Sequence, residues 1–457
     1  MSEKINLINL EKEVNKLVEQ RLVARIRFRG ITPWWGGDYE GKTSGHVDED
    51  EIIGRLRWFL RTVYNRFCAT NLNSYAEAEK FVSQYLGSTN SKSLYTIKTS
   101  NTQPTKSNCT DLPRIRLFAQ GERNKPNSMP VNIRELIVEI YRNKKTEFDE
   151  IIIDSLIITL AFLGVGKGVN RGFGRFIPDN CAEATESVCD KVLNGDVKGA
   201  FKEFYTTFKR VTNCNRNNVW YESAVPVAPL PEGDSSDAIK VISCNTNVCG
   251  QLEAIQKAVM KSTFKTCAFN TKITDEGGYI HTFILGLPRH SKVTFKTNVK
   301  GYNLNVDPQN LDNIIRKYFQ LNNNIKTDKE GNKYKPLNGI TGYYGLRGVE
   351  LAEIRRQSMY IISPFKDKIL ILPFLSLLDH EMEVSDIVHI GVHTNYKIAD
   401  RIKVLVRPVT SLMNESGLSA HERQLASRNK NLSAGGLKQL IENYTNALQI
   451  MIRCWCR

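Results

Sequence analysis

A run of glycines and cations between residues 164 and 175 has the clearest chemical character of any segment. Its five glycines are Gly164, Gly166, Gly168, Gly172 and Gly174, and they are interspersed with Lys167, Asn170, Arg171, Phe173 and Arg175. Glycines let the main chain approach a ligand closely, and exposed amides and cations bind phosphate oxygens. The segment therefore predicts contact with a nucleic-acid backbone. The alternative is a flexible hairpin with solvated charges.

Two nucleotide-binding motifs do not fit this segment. In a Walker loop the lysine is followed by Ser or Thr and the loop follows a strand, whereas Lys167 is followed by Gly168 and the segment follows an apolar helix-like run. Neither Gly164 nor Gly166 begins a complete GxGxxG sequence, which excludes the dinucleotide fingerprint. No cofactor is therefore predicted.

A second basic feature lies on a predicted helix. Apolar residues recur at helical spacing between Asp50 and Cys68. The cations Arg55, Arg57 and Arg61 with Trp58 form a strip that fits backbone contact and base stacking. The alternative is a solvated helix face with Trp58 packed on a neighbour. The pair Trp34 and Trp35, in a glycine-containing loop before this helix, fits either base stacking or plugging of a domain edge.

The composition points to a polyanionic partner. The chain has 457 residues with 63 Lys and Arg against 48 Asp and Glu, a formal net charge of +15. The ten cysteines lack paired CxxC knuckles, so we expect ordinary thiols in a reducing, cytoplasmic protein and no metal site. His389 and His393 do not complete a ligand set. The longest apolar run, at 151–165, is shorter than a membrane span and contains Asp154, so no membrane association is predicted.

The order of the predicted elements is that of a ferredoxin-like unit. A strand at 22–29 turns Arg25, Arg27 and Arg29 outward, the helix at 50–68 follows, and a buried helix at 148–163 leads into the glycine segment and a short strand. A polar stretch suggests a boundary near residue 212. We predict an α+β protein with domains at 1–211 and 212–457, each ferredoxin-like.

The remaining elements are predicted less directly. Residues 88–110 and 321–339 are polar and are interpreted as insertions or mobile loops, the first with a short strand at 94–98. Further strands are expected at 114–119, 281–287, 358–363 and 368–375, and further helices at 251–261, 309–319 and 434–453.

These motifs resemble the RAMP (repeat-associated mysterious protein) superfamily. The similarity is carried by Gly30-Ile31-Thr32-Pro33 with Gly36-Gly37, by the helix segment 54–61 and by the loop 164–174. Within the superfamily the sequence is most similar to the first subunits of Cmr-type, type III-B CRISPR effector complexes. Residues 285–288 and Arg355-Arg356-Gln357-Ser358 extend the similarity into the second half.

The resemblance implies tandem ferredoxin-like (RRM-like) domains and a non-catalytic RNA-binding subunit in antiviral defence. Its partners would be CRISPR RNA, target single-stranded RNA and other RAMP subunits. Some RAMP relatives are metal-independent endoribonucleases that process precursor CRISPR RNA, and His46 with Lys167 would serve that alternative. A generic single-stranded nucleic-acid scaffold is the third possibility.

Overall fold

Antiparallel sheets packed against helices make up the computed structural model, which confirms the predicted α+β class. It describes residues 16–259 apart from gaps at 18, 37–44, 110–111, 113–120, 123–124, 127–128, 183–185 and 224. Beyond residue 259 it describes 294–296, 326–327, 333–336, 340–344, 358–376, 388–394, 397–400 and 434–456. Within these ranges, none of the helices is long and apolar enough to cross a membrane.

The first sheet has four strands, β1 (Leu22–Gly30), β2 (Tyr95–Asn101), β3 (Glu135–Arg142) and β4 (Phe176–Pro178). Its order is β2-β3-β1-β4, and all neighbours are antiparallel. With two helices between β1 and β2 and a further helix between β3 and β4, this is ferredoxin-like connectivity for the first unit. The tandem arrangement stays a prediction.

Helices cover one face of this sheet. They are α1 (Glu49–Phe67), α2 (Ala76–Leu86), α3 (Asp149–Ile158), α4 (Glu186–Asn194) and α5 (Val197–Thr212). Helix α1 begins where the Asp48 side chain accepts a hydrogen bond from the Asp50 N–H, and acidic residues fill its first turn. Helix α3 is buried and continues as a π-helical turn, Thr159–Leu163, directly before the glycine segment.

The second half contributes a three-stranded antiparallel sheet in the order β6-β7-β5. Its strands are β5 (Lys240–Ser243), β6 (Tyr360–Phe365) and β7 (Lys368–Pro373), and its helices are α6 (Val248–Ala258) and α7 (Ala434–Trp455). These confirm the predicted strands at 358–363 and 368–375 and the helices at 251–261 and 434–453. The elements predicted at 114–119, 281–287 and 309–319 lie outside the described residues.

Shorter pieces complete the described part of the chain. They are the strands Thr105–Lys106, Gly121–Glu122, Lys125–Pro126, Val131–Asn132, Thr294–Lys296, Lys326–Thr327, Lys333–Pro336, Ile340–Tyr344, Val388–Thr394 and Lys397–Asp400, and the 3-10 turns Val169–Arg171 and Trp220–Glu222. The predicted loop at 321–339 thus contains two short strands that pair with each other. The predicted insertion at 88–110 contains all of β2. The strand predicted there at 94–98 is longer than expected, and it pairs with β3 in the first sheet.

One hydrophobic core crosses the predicted boundary near residue 212. It joins Phe59 of α1 and Phe201 of α5 to Phe374, which follows β7. The buried Arg66 guanidinium of α1 also donates to the carbonyl of Ala228 at 2.8 Å and pairs with Asp237 at 2.8 Å. The two halves therefore share packing, and the division into 1–211 and 212–457 stays a prediction.

The cysteines correct the prediction of ordinary thiols. Among the described residues, disulfides join Cys68 to Cys214, Cys109 to Cys249, Cys181 to Cys189, and Cys244 to Cys456, and Cys454 is also disulfide-bonded. Among the described cysteines none is free. Three of these links connect residues 140 to 212 positions apart, so the pairing depends on the tertiary fold and has no local signature in the sequence.

Candidate nucleic-acid interface at the glycine segment

The glycine segment leaves the π-helical turn through backbone conformations that favour glycine. Gly164, Gly166, Gly168, Gly172 and Gly174 all have φ between 70° and 94°. The Val165 N–H donates to the Gly174 carbonyl at 3.0 Å, which closes the segment into a loop. A Cβ on Gly174 would lie 1.9 Å from the Val165 carbonyl oxygen, so this closure requires glycine.

The loop that follows β1 holds the glycine segment in place. The Lys167 N–H donates to the Trp35 carbonyl at 2.6 Å, and the Gly174 N–H donates to the Pro33 carbonyl at 2.8 Å. The Arg175 N–H donates to Oγ1 of Thr32 at 2.9 Å. Two motifs about 130 residues apart in sequence thus form one structural unit. Trp34 and Trp35 are fully buried within it, which decides between stacking and plugging in favour of plugging.

Residues 166–170 form the accessible part of the segment, which we call the glycine tip. All five residues are partly exposed, whereas residues 171–175 are buried. Among the described residues, no acceptor pairs with the main-chain N–H groups of Gly166 and Gly168. Lys167 lies between these two glycines. The tip therefore combines uncommitted amides with a cation, which is the chemistry of a phosphate-binding turn.

Behind the tip, Glu51 of α1 accepts a hydrogen bond from the Trp34 indole at 3.2 Å. Burial raises the pKa of this carboxyl to about 7; the Asp48 carboxylate adds to the increase, and the Trp34 hydrogen bond and the Lys167 cation oppose it. The indole in turn lies against the tip, since a Cβ on Gly166 would meet its Nε1 at 3.0 Å. Sequence reasoning missed Glu51; its position in the first turn of α1 suited the helix N-terminus and gave no sign of a contact with Trp34.

Phe173 and Arg175, in the second part of the glycine segment, are buried and contact other residues of the protein interior. Phe173 is fully buried and packs edge-on against Trp35, with ring centroids 5.7 Å apart. The Arg175 guanidinium is fully buried and donates to Oγ of Ser363 at 2.6 Å, to the Phe173 carbonyl at 2.5 Å and to the Val169 carbonyl at 2.6 Å. Their predicted RNA contacts gain no support from this geometry, because these side chains do not reach the surface.

Arg171 and Asn170 occupy the border between the tip and the interior. Arg171 is 8% exposed and donates to the Asn170 carbonyl at 2.9 Å. Asn170 is partly exposed, and its Oδ1 lacks a hydrogen-bond partner among the described residues. Gly172 faces the second half: a Cβ there would lie 2.5 Å from Pro364 and 2.9 Å from Leu252. The segment thus lies at the seam between the two halves.

The predicted basic strip on α1 is mostly engaged with protein. Arg57 and Arg61 both pair with Glu79 of α2, the latter at 2.9 Å. Trp58 is partly buried and packs against Phe374 with ring centroids 4.6 Å apart. Trp58 therefore packs against a neighbouring element, which was the alternative interpretation. Arg57 and Arg61 link α1 to α2 through their ion pairs.

Arg55 is buried and aims at the base of the glycine segment. It donates to the Leu163 carbonyl at 3.4 Å, its guanidinium lies 4.4 Å from the Trp58 ring centroid, and its Nε has no hydrogen-bond partner among the described residues. Burial lowers the pKa of Arg55 to about 9. Burial also lowers the pKa of Arg175, and the nearby Arg55 cation adds to that effect. The two cations therefore share one poorly solvated region below the tip.

The remaining predicted residues lie elsewhere or outside the described chain. His46 is exposed and its Nε2 lies 3.0 Å from Oγ1 of Thr99, on β2. Arg355 and Arg356 fall outside the described residues. In the described part of the chain, no group of three or more His, Cys, Asp or Glu residues could hold a metal ion.

Comparison with known proteins finds one family model that matches the region from the end of β1 through the glycine segment. Residues 27–177 match the model of the RAMP superfamily. The predicted resemblance to RAMP proteins is thereby confirmed over a region that contains the last four residues of β1, all of α1 and the glycine segment. No curated protein matches the chain.

Three solved structures are similar to this chain at low sequence identity. A chain of type III-B Cmr-beta bound to cognate target RNA has a TM-score of 0.47 and 13% identity, and covers 78% of this chain and 94% of its own length. A second structure of type III-B Cmr-beta bound to cognate target RNA, with AMPPnP and single-stranded DNA present, has a TM-score of 0.45 and 12% identity. The match covers 78% of this chain and 94% of the other chain. The apo form of Cmr1 from Pyrococcus furiosus has a TM-score of 0.41 and 11% identity. The match covers 88% of this chain and 95% of the other chain.

Proposed function

We propose that this protein is a non-catalytic RNA-binding subunit of a type III-B CRISPR ribonucleoprotein in antiviral defence. Its partners would be CRISPR RNA, target single-stranded RNA and further RAMP subunits. The observation that carries the proposal is the glycine tip, where uncommitted amides and Lys167 are held at the surface by the loop after β1. The RAMP match across 27–177 and the net charge of +15 support it.

The tip suits a sugar-phosphate backbone better than a nucleotide cofactor. Its glycines let phosphate oxygens approach the amides, and Lys167 supplies a point charge. The buried Trp34 and Trp35 leave no exposed indole beside it for base stacking. We therefore expect the contact to read the backbone rather than the base sequence, as suits a subunit that must accept many different guides.

The test measures the salt dependence of RNA binding. Lys167→Ala should weaken binding of a single-stranded RNA and lower the log-log slope against salt by about 0.7, the value for one phosphate contact. Lys202→Ala, on the exposed side of α5, is the matched control and should change neither. An unchanged slope for Lys167→Ala in a folded protein would remove the tip from the interface.

The absence of cleavage is part of the proposal and needs its own assay. His46 is exposed, its Nε2 lies 3.0 Å from Oγ1 of Thr99, and its imidazole interacts electrostatically with the Glu49 carboxylate, so only an assay decides whether it assists cleavage. We expect no products from labelled repeat RNA or target RNA, with chelator or with magnesium. Specific products that vanish in His46→Ala would favour the processing endoribonuclease instead.

RNA that copurifies from native cells separates the remaining alternatives. Enrichment of repeat-derived guides supports the CRISPR subunit, and equal recovery of unrelated RNA supports a generic scaffold. A cytoplasmic location belongs to the same proposal, and disulfides persist in cytoplasmic proteins mainly in hyperthermophilic organisms. Mass spectrometry of alkylated, unreduced protein from those cells would show whether Cys68 and Cys214 are joined there.

A further inference from the structure

The face of the first sheet that points away from the hydrophobic core, which we call the open face, carries a row of exposed cations on β1, although Ile177 of β4 on the same face is buried. The inward side chains of β1, Ala24, Ile26 and Phe28, are buried under the helices, whereas Arg25, Arg27 and Arg29 on the other face are exposed. Alternate residues of a strand lie about 7 Å apart. The three guanidiniums therefore form a regular line down the middle of the sheet, at a spacing close to that of successive phosphates in an extended single strand.

The neighbouring strands leave this row only partly neutralised. Glu139 of β3 pairs with Arg25 at 2.6 Å, and Glu135 pairs with Arg27 at 3.7 Å, but both arginine side chains keep more than half of their surface exposed. Exposed pairs of this kind are weak and are readily exchanged for another anion. Arg29 has no carboxylate within ion-pair distance among the described residues.

The outer strand β2 adds a further cation to the same face. Lys98 is exposed and its ammonium lies 5.3 Å from the ring centroid of Tyr141, which is partly exposed on β3. On the four described strands, the open face thus carries four cations, two carboxylates and the aromatic ring of Tyr141. Such a surface favours a polyanion held by its backbone over a partner recognised by apolar contacts.

The row also leads to the glycine tip. β1 ends at Gly30, and the next residues, 31–35, bind the glycine segment through main-chain hydrogen bonds. Arg29 pairs in register with Ile177 of β4, the strand that leaves the segment. The line of guanidiniums and the tip therefore meet at the same end of the sheet.

We propose that the open face of the first sheet, through Arg25, Arg27 and Arg29, binds the phosphates of the RNA strand that contacts the glycine tip. The inference rests on the proposed function, because it extends the path of the same RNA. Four-stranded antiparallel sheets with one bare face are a recurrent platform for single-stranded RNA. With one ring only, this platform binds mainly through phosphates, so its affinity depends on salt and little on base sequence.

The test compares two triple variants that lose the same charge. Replacement of the three arginines by Ala should lower the log-log salt slope by about 2 and the affinity at 0.1 M salt by about 100-fold, from about 0.7 per phosphate contact. The control replaces Lys80, Lys191 and Lys202, exposed on the helical side, by Ala. It should retain most of the slope and affinity of the wild type.

Cross-linking the wild-type protein to RNA that contains 4-thiouridine provides a readout without mutation. Adducts on peptides of β1 and β3 support the inference, and their absence while other peptides cross-link overturns it. If Lys167→Ala weakens RNA binding but the triple arginine variant binds RNA as well as the triple lysine control, the sheet face does not bind RNA and the proposed function stands. Wild-type protein that binds no RNA would instead overturn the proposed function. Loss of other subunits with normal RNA binding would identify the face as a protein interface and also overturn the inference.

Discussion

The carboxyl of Glu51 offers a quantitative test of the geometry behind the glycine tip. Its usual pKa is 4.5 and burial raises it to about 7 in the folded protein, a difference in proton-binding free energy of about 3 kcal/mol at about 1.4 kcal/mol per pH unit. A raised pKa means that the folded state holds this proton more tightly than the unfolded chain. The contribution to stability is thus complete below pH 4.5 and is lost as the pH rises to about 7.

Glu51→Gln keeps an acceptor for the Trp34 indole and removes the buried charge. At pH 8 the variant should be more stable than the wild type by about 1 to 3 kcal/mol, the lower figure allowing for residual solvation of a partly exposed side chain. At pH 4.5 the two proteins should unfold alike. Urea unfolding followed by circular dichroism at pH 4.5, 6, 7 and 8 measures the difference.

A matched control comes from a carboxyl of opposite behaviour. Hydrogen bonds from Thr70, on both its side chain and its main chain, lower the pKa of Glu77 on α2. Glu77→Gln should therefore leave stability unchanged at low pH and reduce it above pH 4.5. A stability difference between wild type and Glu51→Gln that stays constant from pH 4.5 to 8 would show that the carboxyl is not buried beside the tip as described.

Two further predictions concern the seam and the disulfides. Gly172→Ala should destabilise the protein by about 2 to 4 kcal/mol in urea unfolding, because φ is +94° and the new methyl group would overlap the second half. The control Gly54→Ala, where the new methyl group lies in open space on α1, should stabilise the protein by about 0.5 to 1 kcal/mol. Equal effects of the two substitutions on stability would contradict the packed seam. Replacing Cys68 and Cys214 together by Ser should cost about 5 kcal/mol in the loop-entropy model, and the same change in the 181–189 pair about 2.5 kcal/mol, because the loops span 146 and 8 residues. A larger cost for the shorter loop would refute that ordering.

Local patterns in the sequence predicted the elements that the site depends on. Helix α1 has a regular apolar period and an acidic first turn, so its bounds were predicted closely. Strand β3 was missed although Leu136, Val138 and Ile140 alternate there with outward residues. The signal is present, but the predicted order of elements has its middle strands at 94–98 and 114–119, before this segment. Helices α2, α4 and α5 were likewise left unassigned.

The roles of the cations were beyond the reach of a sequence pattern. Arg175 lies among glycines, as Lys167 does, and the side chains of arginine and lysine are usually solvated. In the fold, the Arg175 guanidinium is buried and one of its hydrogen bonds goes to Ser363, 188 residues further along the chain. The pairing of Arg57 with Glu79 and the packing of Trp58 against Phe374 likewise need the tertiary fold. The glycine pattern predicted the site, but not which of its cations reach the surface.

The buried cations still bear on the binding of an anion at the tip. Within the described chain, neither Arg55 nor Arg175 has a carboxylate partner, and burial lowers the pKa of both. Their charge is thus incompletely compensated by protein, which leaves a positive potential around a segment that is already held rigidly from β1 and from the second half. A phosphate at Lys167 would reduce the cost of keeping both guanidiniums charged, and little conformational freedom would be lost on binding. By linkage, RNA that binds there should also stabilise the folded chain.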